Sequence, residues 1–225
     1  MNMILPSISE SIDISLFRKP ALSDHASVFS EIYQEDINIA IWQRNLATDL
    51  QTSVARFIDI HDHFRISLVA NPDVIFDDLI KAESSLRKVP ELCTDITELV
   101  GIFCVLFGVE QAGLRLTVMN DAMCPRFHVD RVPCRLICSY HGVASEWLPH
   151  EKVDRTKLGT GNNGLCDEES GLFTSLSDVN QLNVGDVALL KGEIWEGNIN
   201  AGLVHRSPKV TQGNKRLLLT LDFLN

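Results

Sequence analysis

The pattern of apolar positions changes its period near the middle of the chain. Up to residue 111, apolar residues recur mostly at helical spacing, which predicts helices over about 45–57 and 73–87 and a third from Pro90 onward. A short apolar strand is predicted at 37–42. From Ala112 the apolar residues alternate with polar ones, as they do in strands with one buried face. A mostly helical first part and a β-rich second part are therefore expected.

The second part contains seven or eight short strand patterns separated by turn signals. They are predicted at 113–120, 128–130, 135–140, 143–148, 187–191, 203–206 and 216–223. Many short strands of this kind favour an antiparallel sandwich or barrel. We expect residues 1–111 to form an N-terminal arm and helices that cover a sheet, and residues 112–225 to form the core, within one integrated domain.

The last predicted strand has two different faces. One face is wholly apolar and should pack under the N-terminal helices: Leu217, Leu219, Leu221 and Phe223. The other is mixed and should line a cavity: Arg216, Leu218, Thr220 and Asp222. An unpaired guanidinium inside a protein is costly, so Arg216 should have a carboxylate partner from the protein or from a ligand.

Three residues form a candidate metal site. His128 and Asp130 are two residues apart, so on a strand both side chains point the same way. His205 is the best candidate for a third ligand. Two histidines and one carboxylate are the ligand set of non-haem Fe(II) oxygenases. Ligands on an early and a late strand favour an α+β fold whose core is an antiparallel double-stranded β-helix, or jelly roll, packed against the preceding helices.

The order of these residues resembles a known superfamily. A His-x-Asp pair, a distal histidine, ten intervening residues and Arg216 resemble the Fe(II)/2-oxoglutarate-dependent oxygenases over about 112–225. The resemblance implies Fe(II) as cofactor and 2-oxoglutarate as co-substrate, whose far carboxylate Arg216 would clamp. It departs at Leu218, where the superfamily often has serine. The whole chain also resembles the bacterial domain-of-unknown-function family 1826.

An enzyme that hydroxylates or demethylates a substrate is the leading interpretation. Asn120 and Tyr140 are further candidates to bind 2-oxoglutarate, at its other end, and Arg135 is a second candidate to meet a carboxylate. The segment 157–171 has four glycines and no periodicity, which predicts a flexible loop that closes over the substrate.

Two alternatives remain open at this point. The first is a non-catalytic jelly-roll protein that binds a metal, possibly zinc, as a sensor or homeostasis factor. Cys134 and Cys138 would share a strand face, and with Cys124, His128 or His141 they could form a Cys/His zinc site. The second alternative is a binding or scaffold protein that uses no metal.

Composition narrows the function further. A formal net charge of −10 argues against sequence-independent nucleic-acid binding, which requires a basic surface. No run of eighteen apolar residues is present, so no membrane span is expected. Six cysteines without a secretory signal predict reduced thiols and a cytoplasmic location. The sequence indicates neither whether the substrate is a small molecule or a protein, nor the oligomeric state.

Overall fold

The structure, a computed structural model, describes residues 17–224, which contain ten strands and three α-helices joined by loops and 3-10 helices. The strands are β1 (Lys19–Ser23), β2 (Ile37–Trp42), β3 (Phe64–Ala70), β4 (Ala112–Met119), β5 (Cys134–His141), β6 (Glu146–Leu148), β7 (Asn180–Gln181), β8 (Val187–Lys191), β9 (Val204–Arg206) and β10 (Arg216–Asp222). The helices are α1 (Thr48–Asp59), α2 (Ile75–Ala82) and α3 (Pro90–Phe107).

The strands form one large and one small sheet. The large sheet has the order β1-β2-β8-β5-β10-β4-β3, and the small sheet has the order β7-β6-β9. Neighbouring strands are antiparallel except for the parallel pair β1 and β2. The fold is therefore a mixed fold of helices and a large, mainly antiparallel sheet. The first 111 residues contribute three strands to that sheet as well as the helices.

The two faces of β10 lie in different environments. Leu217, Leu219 and Leu221 belong to the main apolar core, which the helices also build, for example with Phe103 of α3. Leu218 belongs to a second core on the other side of the sheet, where the small sheet contributes Trp147 of β6. The predicted division of this strand into a helix-facing and a cavity-facing side is confirmed.

Several local predictions differ from the structure. Strand β3 was not predicted, and β1 lies within a segment that we expected to be an irregular arm, of which residues 1–16 fall outside the described part of the chain. The helix expected over 73–87 stops at Ala82 because Glu83 adopts an extended backbone conformation, and a 3-10 helix, Ser84–Lys88, follows. Within residues 17–224, no helix combines the length and the apolar character needed to cross a bilayer.

Candidate metal centre

The main chain brings the two candidate histidines together. The backbone N–H of His128 donates to the carbonyl oxygen of His205, and the N–H of His205 donates back to the carbonyl of His128, both at 3.0 Å. This isolated antiparallel bridge is the only strand-like pairing of the segment, which we predicted to be a regular strand. The bridge places the imidazole centroids 4.6 Å apart.

The second ring nitrogen of each histidine is fixed by a backbone carbonyl. The Nδ1 atom of His128 lies 2.9 Å from the carbonyl oxygen of Arg126, and that of His205 lies 3.2 Å from the carbonyl oxygen of Leu203. A carbonyl can only accept, so each neutral ring carries its proton on Nδ1 and leaves the Nε2 lone pair free. A partner of this kind on the non-ligating nitrogen is typical of metal-binding histidines.

The free Nε2 atoms face the carboxylate of Asp130. They lie 3.6 Å (His128) and 3.4 Å (His205) from its oxygens, and the three donor atoms all lie within 4.8 Å of one another. Among residues 17–224 this is the one group of three or more potential ligands that converges in this way. The structure thus brings together all three residues predicted for the metal site, and they could hold a metal ion.

The protonation states also suit a cation. Burial alone would raise the pKa of Asp130, but its interactions with His128, His205 and the charge of Arg135 outweigh burial and hold this pKa well below its usual range. The facing carboxylate of Asp130 raises the pKa of His128, against the opposing effect of burial, so a proton and a divalent ion would compete for its Nε2 atom. Two neutral imidazoles and one carboxylate fit a divalent ion such as Fe(II).

Arg135 holds the carboxylate of Asp130 in place. Its Nη1 donates to Asp130 at 2.6 Å, and its Nε donates to Asp222 at 2.6 Å. The Nη2 atom of Arg115 donates to the other oxygen of Asp222, also at 2.6 Å. Because both prongs of Arg135 are occupied by protein carboxylates, the prediction of Arg135 as a clamp for a ligand carboxylate is not supported.

Arg216 lacks the protein carboxylate that its burial leads one to expect. The side chain is only 1% exposed, and it donates to three hydroxyls: Ser139 at 3.0 Å, Ser145 at 2.6 Å and Ser207 at 3.4 Å. No carboxylate among residues 17–224 contacts it. Burial lowers its pKa to about 10, because the charged form is poorly solvated. The guanidinium is therefore suited to an anionic ligand group.

A cavity of about 170 Å³ adjoins the three predicted ligands. Met123, Ile137 and Leu218 contribute apolar wall, and charged and polar groups come from β3, β4 and β10. Ser207 belongs to the wall, whereas Arg216 lies behind it and reaches the cavity through that hydroxyl. Wider surface depressions elsewhere, such as the one beside Trp195, contain none of the three ligands.

The structure places Tyr140 away from this site. It lies on the helix-facing side of β5, almost fully buried, and its hydroxyl donates to Asp95 of α3 at 2.5 Å. The same carboxylate accepts two hydrogen bonds from Arg44, both at 2.7 Å. The prediction that Tyr140 donates to 2-oxoglutarate therefore disagrees with its position: alternation along β5 directs it into the opposite layer.

Asn120 is also separate from the cavity. It is exposed, one residue beyond the end of β4, and does not line the cavity.

The segment 157–171 is held in place by contacts with the rest of the protein. Asp167 is buried, accepts from the backbone N–H of Phe127 at 2.9 Å and pairs with Arg206 at 3.1 Å. We therefore find no support for this segment as a flexible lid.

The cysteines do not form a metal site. Cys134 and Cys138 share a face of β5 as predicted, but it is the helix-facing one, on the far side of the sheet from His128. Burial raises the pKa of both thiols, that of Cys138 to about 12, so they stay protonated at neutral pH. Cys124 is exposed at the cavity wall. A thiolate-zinc site built on Cys134 and Cys138 is thus wrong.

Two glycines let the chain approach the metal segment from behind. A Cβ atom at Gly192 would overlap the carbonyl oxygen of Val132, and one at Gly202 would overlap the Cγ1 methyl of Val129. The approach is secured by backbone hydrogen bonds, including the one from Glu193 N–H to the carbonyl of Asp130 at 2.9 Å. The position of Asp130 is therefore set by main-chain contacts.

Two residues that line the cavity, Arg65 and Arg115, were not among the candidates predicted from the sequence. Both line the cavity, from β3 and β4 respectively. The signal for each was the period-two alternation, which directs Arg65 away from buried Phe64 and Ile66 and directs Arg115 away from Leu114 and Leu116. What the sequence does not indicate is that β3 and β4 are neighbours in one sheet.

Several solved structures resemble this one at low identity. The dioxygenase for auxin oxidation from rice is 15% identical, with 80% of this chain and 64% of that chain covered, at a TM-score of 0.42. Dioxygenase for auxin oxidation 1 from Arabidopsis thaliana, solved with 2-oxoglutarate, is 9% identical, with 93% of each chain covered, at 0.45. A Caulobacter crescentus protein assigned to the 2OG-Fe(II) oxygenase family is 11% identical, with 92% and 86% covered, at 0.45.

The Arabidopsis protein was solved with 2-oxoglutarate, and the C. crescentus protein is described as a 2OG-Fe(II) oxygenase. This chain spans less than two thirds of the rice protein. No curated protein matches the chain by sequence. One family model matches residues 23–222, which is most of the chain, and its description is "Protein of unknown function (DUF1826)". The chain belongs to that family, as its sequence had suggested.

Proposed function

We propose that this protein is an Fe(II)/2-oxoglutarate-dependent oxygenase, a hydroxylase or demethylase, with His128, Asp130 and His205 as the metal ligands. One observation carries the proposal: two imidazole nitrogens and a carboxylate converge beside a cavity, and the group contains no fourth protein donor among residues 17–224. Structural metal sites are usually closed by four protein ligands, whereas catalytic sites keep positions open for water or substrate.

The strand order supports a jelly-roll core around this site. Four strands of the large sheet, in the order β4-β10-β5-β8, face the small sheet, in the order β7-β6-β9, which the bridge at His128 extends by one segment. In chain order these eight segments alternate between the two layers except at β6 and β7, which both belong to the small sheet, and this is the arrangement of a double-stranded β-helix. We infer that such a core places the early His-x-Asp segment beside the late strand β9.

The setting of Arg216 supports 2-oxoglutarate as co-substrate. A buried guanidinium held only by serine hydroxyls leaves its charge without a counter-charge, and a ligand carboxylate would supply one. Ser207, which bonds Arg216 and lines the cavity, marks the place where that carboxylate would enter. The planar fork of arginine matches a carboxylate better than an ammonium group does.

The division of labour follows from the site. Iron, with 2-oxoglutarate and O2, would supply oxidation of the substrate, with release of succinate and CO2. The protein supplies binding and orientation. Arg135 keeps the Asp130 carboxylate aimed at the two Nε2 atoms, and the backbone bridge keeps the imidazoles at a fixed separation. The apolar wall formed by Met123, Ile137 and Leu218 limits water around the reacting groups.

A metal-binding protein without oxygenase activity is the second candidate, because Arg216 lies behind the cavity wall rather than on it. One experiment separates the two functions. Protein purified without oxygen is assayed for metal content, then for conversion of 2-oxoglutarate to succinate in the absence of any added substrate. We expect about one Fe(II) per chain and slow succinate formation, both absent in His128→Ala. Metal binding with no 2-oxoglutarate binding and no succinate would favour the second candidate.

A further inference from the structure

The cavity beside the metal ligands is bordered by three arginines with different partners. Arg135 is fully engaged, since it donates to Asp130 and Asp222. Arg115 is partly engaged: Nη2 donates to Asp222 at 2.6 Å and Nε donates to Thr220 at 3.2 Å, while its side chain remains 40% exposed. Arg65 is exposed and has no hydrogen bond or ion pair with any residue in the range 17–224. The positive charge that is not balanced by a carboxylate therefore increases from Arg135 on β5, through Arg115 on β4, to Arg65 on β3.

Arg65 and Arg115 are close neighbours on the same face of the sheet. Arg65 pairs with Thr117, and Arg115 is the next residue of β4 on that face, so the two are diagonal neighbours. Diagonal positions on paired strands lie about 7–8 Å apart, within reach of long side chains. Like charges at this spacing repel, and a shared anion would relieve the repulsion.

The surplus of positive charge persists after the expected cofactors are counted. Three guanidiniums border the cavity, against the two carboxylates of Asp130 and Asp222. The two positive charges of a divalent metal and the two negative charges of 2-oxoglutarate, which carries two carboxylates, cancel each other. The surplus is also local, because the whole protein has a formal net charge of −10. A basic cavity mouth on an acidic protein concentrates small anions there.

The remaining wall is apolar. Met123, Ile137 and Leu218 line the cavity, whose volume is about 170 Å³, and a concave apolar wall with a few polar groups is typical of a small-molecule site. The surroundings of the metal ligands therefore combine an apolar chamber with a guanidinium pair at the β3–β4 edge.

We propose that the substrate is a small molecule with an apolar body and a carboxylate or phosphate group, and that Arg65, assisted by Arg115, binds that group. The inference rests on the proposed oxygenase function, since it assigns the substrate of the same site. Arg65 binds the anionic group directly, and Arg115, which also donates to Asp222, supplies a second hydrogen-bond donor. The three metal ligands bind the metal, and Arg216 binds 2-oxoglutarate.

Binding of simple probes tests the proposal. Hexanoate, hexyl phosphate and hexanol share an apolar chain and differ in charge, and their binding is measured by ligand-observed NMR under nitrogen. The protein carries Fe(II) and saturating 2-oxoglutarate, so that the position at Arg216 is already filled. We expect at least one anionic probe to bind about ten-fold more tightly than hexanol, and Arg65→Ala to lose most of that preference. Arg65→Lys should keep part of it.

The control is Arg87→Ala, because Arg87 is an exposed arginine outside the cavity and its loss should leave all three probes unaffected. Preference for carboxylate over phosphate, or the reverse, identifies the anionic group. Equal binding of anionic and neutral probes, or an anion preference unchanged in Arg65→Ala, overturns the inference while 2-oxoglutarate binding keeps the oxygenase function intact. Displacement of 2-oxoglutarate by hexanoate also overturns it, since the anion then occupies the co-substrate position. Failure of the wild type to bind 2-oxoglutarate at all is the separate result that rejects the oxygenase function.

Discussion

His128 and His205 exchange two backbone hydrogen bonds of 3.0 Å, so the main chain itself sets the separation of their imidazoles. Replacing either side chain removes one imidazole that could bind the metal, but it leaves the two backbone hydrogen bonds of this bridge intact. We predict that His128→Ala and His205→Ala each weaken binding of Fe(II), or of a redox-inert divalent mimic, by more than about 100-fold, since even outer-shell changes cost 10–100-fold. Calorimetry under nitrogen and metal analysis measure the effect.

The matched control is His63→Ala, because His63 is exposed and belongs to no ligand group among residues 17–224. Its metal affinity should equal that of the wild type. Unchanged metal affinity in both His128→Ala and His205→Ala would reject the three-residue site.

Arg216→Ala separates co-substrate binding from metal binding. Loss of a charge-assisted bond should weaken 2-oxoglutarate binding to the Fe(II) form by about 2–3 kcal/mol, or roughly 30–150-fold. Metal affinity should stay nearly constant, since Arg216 contacts none of the ligands. Arg216→Lys should recover only part of the binding.

Arg131→Ala, at an exposed position, serves as the control for this experiment. Titration of both variants and the wild type with 2-oxoglutarate gives the comparison. Equal binding by Arg216→Ala and the wild type would show that the clamp lies elsewhere. Arg115 would then be tested next, because Arg135 is committed to two carboxylates.

The sequence predicted best those features that depend on local alternation. The two faces of β10 followed from period two, whereas the choice of His128, Asp130 and His205 followed from residue chemistry and from the order of these residues along the chain. Contacts between distant segments could not be read in this way. Alternation puts Tyr140 on the same face of β5 as Cys138, but the sequence does not indicate that this face meets α3, where Asp95, forty-five residues earlier, accepts a hydrogen bond from the tyrosine hydroxyl.

The arginine network was missed for the same reason. Asp222 joins Arg115 and Arg135 because β4, β10 and β5 are adjacent, and that order is a property of the whole sheet. Strand β3 was missed although Phe64 and Ile66 alternate with polar residues. Its short pattern follows closely on the end of α1 and is not separated from the helical spacing by a clear turn signal.

Tyr140→Phe tests the structural role of the tyrosine. Removing the hydroxyl takes one donor from the Asp95 carboxylate, which Arg44 also binds. We predict a loss of about 1–3 kcal/mol in the free energy of unfolding, in the range for a hydrogen bond to a charged group. Metal and 2-oxoglutarate binding should be unchanged. Chemical denaturation measures the stability and calorimetry measures the two affinities.

Tyr33→Phe is the comparison variant, since the Tyr33 hydroxyl donates to the carbonyl of Leu106 at a more exposed position and should contribute less. A large loss of 2-oxoglutarate affinity in Tyr140→Phe, at unchanged stability, would restore Tyr140 to the binding site.

The buried thiols should make stability fall at high pH. Burial raises the pKa of Cys138 from 9.0 to about 12, so the folded state keeps a proton that the unfolded chain releases. Between these two values the folded state binds more protons, and the free energy of unfolding therefore decreases as pH rises. We predict that Cys138→Ala has a shallower decrease than the wild type and unchanged metal binding.

At neutral pH the same variant should lose about 1 kcal/mol, the usual cost of a modest core truncation. Cys166→Ala is the control, because Cys166 is exposed and should leave the pH dependence unaltered. Loss of metal in Cys138→Ala, or identical pH profiles for Cys138→Ala and the wild type, would contradict this account.

Gly192 and Gly202 have a consequence for how this site can change during evolution. Gly192 faces the carbonyl oxygens of Val132 and Asp130, so a side chain there requires that segment to move and to carry Asp130 with it, while Gly202 faces a methyl group of Val129. Lineages that change the substrate should therefore vary the arginines of β3 and β4, which solvent can accommodate, and retain both glycines. Substrate range and metal geometry can then drift at independent rates within one fold.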